Sequence, residues 1–528
     1  MHTKSRLQQS LELRACAVFA IVLALLSLQG CGGGDTSSTA SALAQELGEH
    51  SDAAQSRLEL VSSESGVTPF IERLSFYGNG LSSLSTVEYT VQPKTGSVSK
   101  AVNITYSSSA LTARGYLIPE DGVLKLPVIG LYAGYTNSVA LQFQFKDGST
   151  TTLNTNITTV DYVDPSGIYV HPAILQRRAA GSSLGFSFFY MKSALVGSPV
   201  IVDTDGEVRW VGPAVTPATS AAFQADEFVI GDPALPIVYR VGIDGTVTQS
   251  RLATATYITN FHHNIDYTSI GLLADVTTQD GSNVNFETTV SEITDQGSVL
   301  NQWDMAAIIS NYMRSMGDDP TAFVRPGIDW FHNNASTYDP SDNSVIISSR
   351  ENFVIKVDFQ TGRIIWILGD PTKYWYTFPS LRAKAVTVAP GGLYPIGQHA
   401  VSITPDGLLL LFNDGLGSQN QPAGAPAGES RTYSAVSAYS IDAEALTAKN
   451  VWNFENGQTV YSEICSSAYK APDNSLLIDY AVADNLTHAL LLGLNSTHSV
   501  VFEFQYPTQS CNTSWNAVPI ALENLTIN

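Results

Sequence analysis

Basic residues are scarce in this chain. Lysine and arginine number 27 against 48 aspartates and glutamates, a formal charge of −21 over 528 residues. Such a surface repels a phosphate backbone, so nucleic acid is not an expected partner. Charge of either sign is thin, at 14% of the sequence. Long apolar runs are missing as well: beyond the N-terminal segment nothing approaches the ~20 apolar residues of a spanning helix. Cysteine is rare, with four in the whole chain. What is plentiful is 44% hydrophobic residues, 10% aromatics, 40 glycines and 23 tyrosines. Together with many Val, Thr and Ser, that composition suits an all-β protein with a packed core. The length allows two or three domains, or one large repeat domain with an accessory.

The N-terminus reads as a targeting segment. Lys4, Arg6 and Arg14 precede an apolar run from Ala15 to Leu28 that is short for a membrane span. Leu28-Gln29-Gly30-Cys31 resembles a bacterial lipoprotein cleavage box, with Cys31 as the lipidated first residue. Residues 1–31 are therefore expected to be a lipoprotein-type signal peptide, and residues 32–60 a Gly/Ser/Thr-rich tether with a short helical segment. The expected location is the periplasm or cell envelope of a bacterium, with membrane association through the lipid on Cys31 alone. Removal of Cys16 and lipidation of Cys31 leave Cys465 and Cys511. An even pair in an oxidising compartment suggests a disulfide tying the last segment to the final repeat.

From residue 61 to 165 short alternating runs such as Val87-Glu88-Tyr89-Thr90-Val91, punctuated by Gly and Pro, predict a small β-sandwich poor in chemically useful residues. From residue 166 to 528 a hairpin recurs six times, with Asp, Asn or Gly in its turn and often an aromatic at its end. The copies include Ile201-Val202-Asp203-Thr204-Asp205-Gly206 to Trp210, and Val357-Asp358-Phe359-Gln360-Thr361-Gly362 to Trp366. Room for two more strands lies between consecutive hairpins. The fold expected is a six-bladed β-propeller preceded by the sandwich.

Four segments recur just before the first strand of successive blades. They are Phe261-His262-His263-Asn264-Ile265, Phe331-His332-Asn333-Asn334-Ala335, Gly397-Gln398-His399-Ala400-Val401 and Glu463-Ile464-Cys465-Ser466-Ser467. In a propeller that slot faces the central channel, so these side chains converge. Imidazoles are common metal ligands. Only Asp266 and Glu463 are near acids, however, and a hard cation needs carboxylates, so no metal is expected. Asn334 lies two residues beyond His332, and Arg350 ends the strand-forming run Ile346 to Ser349. Imidazole, amide and guanidinium donors together suit a tetrahedral oxyanion. Tyr374 and Trp375, after Asp370-Pro371-Thr372-Lys373, are candidates to stack on an aryl ring.

These residues resemble the bacterial aryl-sulfate sulfotransferases. The resemblance is carried by Asp329-Trp330-Phe331-His332-Asn333-Asn334, Asn343 to Arg350, Gln398-His399-Ala400 with Leu411-Phe412-Asn413-Asp414-Gly415, and Tyr461 to Ser466. It extends over roughly residues 65–510 and includes Pro127 to Tyr132 of the sandwich. The resemblance implies PAPS-independent transfer of a sulfuryl group from a phenolic sulfate ester to a phenol, with no cofactor. It implies a ping-pong mechanism with His399 as the transiently sulfated nucleophile. It places His263, His332, Asn334 and Arg350 around the sulfuryl oxygens, with Cys465 and Ser466 at the fourth contact. There the chain departs from the pattern, because Cys465 stands where a compared family member carries threonine. Either His263 or His332 could accept the phenol proton. The rival expectations are a non-catalytic envelope scaffold and a metal-dependent propeller hydrolase.

Overall fold

The structure is a computed structural model that describes residues 58–528. The expected signal peptide, the lipidation site Cys31 and the tether up to residue 57 lie outside the described residues. Among the described residues no helix is long and apolar enough to cross a membrane.

Two sheets form the N-terminal domain. One orders Glu59–Ser65, Ile71–Tyr77, Val123–Ile129 and Leu117–Ile118; the other orders Val102–Ser107, Leu84–Val91, Thr136–Phe145 and Thr150–Thr158. Strict alternation buries every second side chain of Thr136–Phe145, so Val139, Leu141 and Phe143 meet Leu74, Phe76 and Val87 in one core. That core runs on into Phe188, Tyr190, Trp210 and Phe228. Buried Arg209 adds a polar tie by donating to the Gly130 carbonyl at 2.6 Å and pairing with Asp203 at 3.1 Å.

Six sheets follow, antiparallel but for the short edge strand Thr387–Val388 that runs parallel to Thr447–Phe454, and the body of the chain is a β-propeller. Four of them begin with inner strands Ser220–Gln224, Ile258–Tyr267, Asn333–Asp339 and Gln398–Ile403, and the next with Ser467–Lys470. In the remaining sheet the inner position is filled from the far end of the chain: Ala517–Ile520 pairs with Phe188–Met191, which precedes Val200–Asp203 and Val208–Val211. A C-terminal strand thus completes a sheet built from residues more than three hundred positions earlier. The final strand, Leu525–Ile527, leaves the propeller and runs parallel to Val102–Ser107 of the sandwich.

The recurrent hairpins are the outer pairs of the sheets, and their turns are fixed by side-chain caps. Asp203 Oδ1 accepts from the Asp205 and Glu207 amides, Asp358 Oδ1 from Thr361, and Asn495 Oδ1 from Thr497 and Ser499. Gly206 and Gly362 take the positive φ of 89° and 67° that these tight turns require. The outer hairpins carry a register shift beside their turns, whereas three inner strands carry theirs near the strand starts, where the chemistry sits.

Candidate active site

Three inner strands break their pairing near their starts. The register slips between Phe261 and Ile265, between Asn333 and Ala335, and between His399 and Ser402. At or just before each break a non-glycine residue takes left-handed backbone: His263 (φ 51°), His332 (φ 52°) and Ala400 (φ 50°). The fourth segment has two such residues, Cys465 (φ 58°) and Ser466 (φ 72°). Bulges re-aim side chains, and strained residues cost ~1–3 kcal/mol each unless the surroundings enforce them. The segments share this device with one difference. His399 precedes the left-handed residue of its bulge, whereas His263 and His332 occupy it, so the rings enter the site from two backbone settings.

Each ring is anchored through Nδ1. His399 Nδ1 lies 3.0 Å from the Gly397 carbonyl, to which its N–H donates. His332 Nδ1 lies 2.6 Å from Asp329 Oδ2 and 2.9 Å from Glu287 Oε2. His263 Nδ1 lies 3.1 Å from His262 Nδ1, and its ring stands edge-on to His332 and Trp515 at centroid distances of 5.0 and 5.4 Å. Among the described residues Nε2 of His263, His332 and His399 has no hydrogen-bond partner, so it is the nitrogen left for a ligand.

The charge states differ from ring to ring. Burial holds His399 well below the ordinary imidazole value, and the nearby charges of Arg350 and His332 push the same way. Asp414 Oδ2 lies 2.8 Å from His399 Nδ1. That approach lacks hydrogen-bond geometry, since neither Asp414 oxygen has a donor; we assign the Nδ1 proton to Gly397. Burial lifts the Asp414 carboxyl well above its usual range, against Arg350 and His332. His399 is therefore neutral, with its lone pair on Nε2. Burial also depresses His263 well below the ordinary value, opposed by Glu287 and reinforced by His332. At His332 burial likewise acts downward, but Glu287 and Asp329 outweigh it and raise the ring to about 10.

Arg350 follows the strand Ser344–Ser349, and its backbone N–H donates to the His332 carbonyl at 3.0 Å. One guanidinium nitrogen pairs with Glu351 Oε1 at 2.9 Å. Glu351 Oε2 in turn accepts the Gln419 and Asn420 amides at 2.8 Å, which pins the loop after Asn413 over this ion pair. Asn334 donates through Nδ2 to the Gln398 carbonyl at 2.8 Å, tying the His332 segment to the His399 segment, while its Oδ1 is buried without a partner. Below the rings, buried Lys192 reaches Asn264 Oδ1 at 3.0 Å, and burial lowers its amine to about 8.

Four expected substrate contacts are engaged otherwise. Cys465 is disulfide-bonded to Cys511, so it offers no thiol. The Ser466 hydroxyl contacts Ser462 Oγ at 2.9 Å and accepts from the Ala481 amide at 3.1 Å, which holds the strained turn. Trp375 is buried in a core shared by the His263 and His332 sheets, edge-on to Phe353 at 5.4 Å, with its indole N–H donating to the Asp370 carbonyl at 3.0 Å. Tyr374 packs on Phe323 and Phe378. Trp375 is therefore a packing residue and not an aryl platform, and Tyr374 is half-buried with its ring engaged by phenylalanines. Trp375→Phe removes the indole hydrogen bond and should cost about 1–2 kcal/mol in urea unfolding without changing KM for an aryl sulfate. A raised KM at unchanged stability would restore Trp375 to the site.

Four acids escaped the sequence reading, which counted Asp266 and Glu463 alone: Asp414 beside His399, Glu351 on Arg350, and Asp329 and Glu287 on His332. Asp329 lies three residues before His332, a local Asp-x-x-His signal that was legible. Glu287 comes from Asn283–Ile293, the third strand of the His263 sheet, at a strained φ of 46°; nothing local marks it. With these acids the shortage of carboxylates no longer speaks against a cation, because His262, His263 and Glu287, and again Glu287, Asp329 and His332, bring donor atoms within 4.8 Å. The groups are nevertheless engaged with one another: imidazole hydrogen-bonds to imidazole at 3.1 Å and His332 to Asp329 at 2.6 Å, while Glu287 Oε2 stands 2.9 Å from the same ring nitrogen as an ion-pair contact. The cluster reads as a hydrogen-bonded network in which His332 supplies the positive charge.

Fold and site together define a class: a histidine-centred β-propeller with an Ig-like N-terminal domain. The family model described as Arylsulfotransferase (ASST) matches residues 149–516, and the one described as Arylsulfotransferase Ig-like domain matches residues 77–160. The chain belongs to the arylsulfotransferase family. It is similar to the arylsulfate sulfotransferase AssT of Escherichia coli O6:H1, at 31% identity over 171 residues, which is 29% of this chain and 28% of that protein. It is likewise similar to the AssT of Lelliottia amnigena, at 28% identity over 174 residues, covering 30% and 28%. These matches span less than a third of the curated relatives. A solved β-propeller domain, Cps50 (Swd1) of Myceliophteria thermophila, overlays 61% of this chain and 87% of its own at TM-score 0.34 and 11% identity, too loosely to carry a conclusion.

Proposed function

We propose that the protein is an aryl-sulfate sulfotransferase that moves a sulfuryl group from a phenolic sulfate ester to a phenol through a sulfated His399. The carrying observation is the anchoring of three imidazoles through Nδ1, with Nε2 unpartnered on each and Arg350 tied to the His332 carbonyl. In the first half-reaction the Nε2 lone pair of His399 forms an N–S bond as the S–O(aryl) bond breaks. The bonding pair leaves on the aryl oxygen, which takes up a proton. In the second half the acceptor phenol gives up its proton, its oxygen bonds to sulfur, and the N–S pair returns to Nε2. A covalent intermediate divides one difficult displacement into two easier ones. Arg350 and His332 place positive charge at the sulfuryl oxygens and neutral His263 lines the site beside them, where the protein's main contribution is placement and charge.

Incubating the protein with 4-nitrophenyl sulfate tests this reading. Nitrophenol release that rises with a second phenol and survives a chelator is the expected result. Release abolished by the chelator would favour a metal-dependent hydrolase, and no release from any aryl sulfate would favour a binding scaffold. Arg350→Lys keeps the charge but loses the planar fork, and it should lower kcat by about 10²–10³-fold, read in steady-state assays of matched stability. The acidic surface opposes an anionic donor, but charges beyond about 8 Å are screened at physiological salt. We further propose export to the bacterial envelope on a lipid attached to Cys31. Radiolabelled palmitate should enter the wild-type chain and not Cys31→Ala.

A further inference from the structure

His332 is pressed by two carboxylates on one atom. Asp329 Oδ2 at 2.6 Å takes the hydrogen bond from Nδ1, and Glu287 Oε2 at 2.9 Å is left without a donor of its own. One N–H cannot donate linearly to both, so the arrangement is favourable only around a cationic ring. The other groups facing the site are His262 and His263 from Ile258–Tyr267, His399 from Gln398–Ile403, and Asp414 and Arg350 from the ends of their strands. The first three are depressed by burial and neutral, burial lifts Asp414 well above the usual carboxylate range, and Arg350 is matched by Glu351. His332 is thus the counter-ion of Glu287 and Asp329. Burial would raise Glu287, but the charge of His332 outweighs it and holds the carboxylate below its usual range.

We propose that Glu287 is a positioning residue which, with Asp329, fixes Nδ1–H of His332, so that Nε2 of His332 gives a proton to the departing aryl oxide and takes one from the acceptor. His263, neutral and edge-on to His332, then contacts the sulfuryl group and moves no proton. This deepens the sulfotransferase reading and rests on it for its kinetic half. The proton balance closes over the cycle. In the first half the Nε2 proton moves to the phenolate oxygen, and in the second the acceptor's proton returns to Nε2 as the new S–O bond forms. The strained φ of 46° at Glu287 is what an enforced, non-local contact requires. With His332 raised to about 10, its proton affinity matches that of a phenol, near 10 for an unperturbed tyrosine, so transfer in either direction is nearly level.

Glu287→Gln preserves shape and removes the charge. Two measurements on full-length protein decide the matter. Single-turnover release of phenol from phenyl sulfate, a donor whose leaving group needs protonation, should show an alkaline limb near pH 10 that moves down by about one pH unit or more in Glu287→Gln. A slower rate with the limb unmoved means the carboxylate is merely structural and overturns the proposal. Nitrogen NMR of histidine-labelled protein, with the His332 signal assigned through His332→Asn, reads the ring without turnover. Loss of the His332 proton near pH 7 in the wild type overturns the proposal even if sulfotransfer is seen. Retention of that proton at pH 9 with no aryl sulfate turned over retains the charge clamp and sinks the sulfotransferase reading instead. Asp329→Asn, expected to shift the limb in the same direction, guards against a Glu287 variant that fails to fold.

Discussion

His399→Ala is expected to fold normally and to lose roughly 10⁵–10⁶-fold in kcat for acceptor-dependent transfer, the scale set by removal of a covalent nucleophile. The variant keeps Arg350, His332 and His263, so donor binding and KM should change little. What disappears is the atom that becomes sulfated. The wild type mixed with 4-nitrophenyl sulfate alone should release one equivalent of nitrophenol in a burst and carry acid-labile sulfate on His399; the variant should give neither. Free imidazole, small enough for the vacated space, should restore part of the rate to the alanine variant. The pH dependence follows from the environment of the ring. Burial with Arg350 and His332 nearby keeps His399 neutral well below pH 6.5, so the burst should persist under acid conditions where an ordinary imidazole is protonated. A burst surviving in His399→Ala, or acceptor-dependent turnover with no burst in the wild type, would move the chemistry to direct transfer.

Much of this site could be read from residues, and its gaps have a common physical origin. The outer hairpins were legible because their turns use local chemistry: Asp203, Asp358 and Asn495 cap amides two to four residues away. The histidine segments were legible because they repeat. Apart from the Cys465–Cys511 pair, what did not show was what arrives from elsewhere in the chain. Glu287 meets His332 from 45 positions upstream, through strand pairing that sequence spacing does not encode. Lys192 reaches Asn264 across 72 positions. The one-residue offset of His399 depends on where its bulge falls, which is a property of pairing with Leu409–Asn413 and not of composition. Tyr374 and Trp375 misled for the opposite reason. An aromatic pair looks alike from sequence whether it packs or binds, and the presence of Phe323, Phe353 and Phe378 around it is a tertiary fact.

Removing the disulfide should be the largest single loss of stability. Cys465 and Cys511 are 46 residues apart, and closing a loop of that length in the unfolded chain is worth about 4 kcal/mol on chain-entropy grounds. The bridge sits where the strained Cys465–Ser466 turn meets the segment that completes the propeller. Just beyond Cys511, Trp515 packs on His263, Asn516 Nδ2 donates to the Ser466 carbonyl at 3.1 Å, and Ala517–Ile520 supplies the inner strand of the Phe188–Met191 sheet. Cys465→Ser with Cys511→Ser therefore releases both the slot and the closing strand. The double variant should show a urea midpoint lowered by an amount corresponding to about 4 kcal/mol, and dithiothreitol should lower the wild-type midpoint toward the same value while leaving the variant unmoved. Activity should fall before global unfolding, because the segment that positions Trp515 against His263 is released first. A midpoint changed by less than about 1 kcal/mol would mean that strand pairing alone holds the ring closed, and the cysteine pair would then stabilise neither the fold nor the fourth slot.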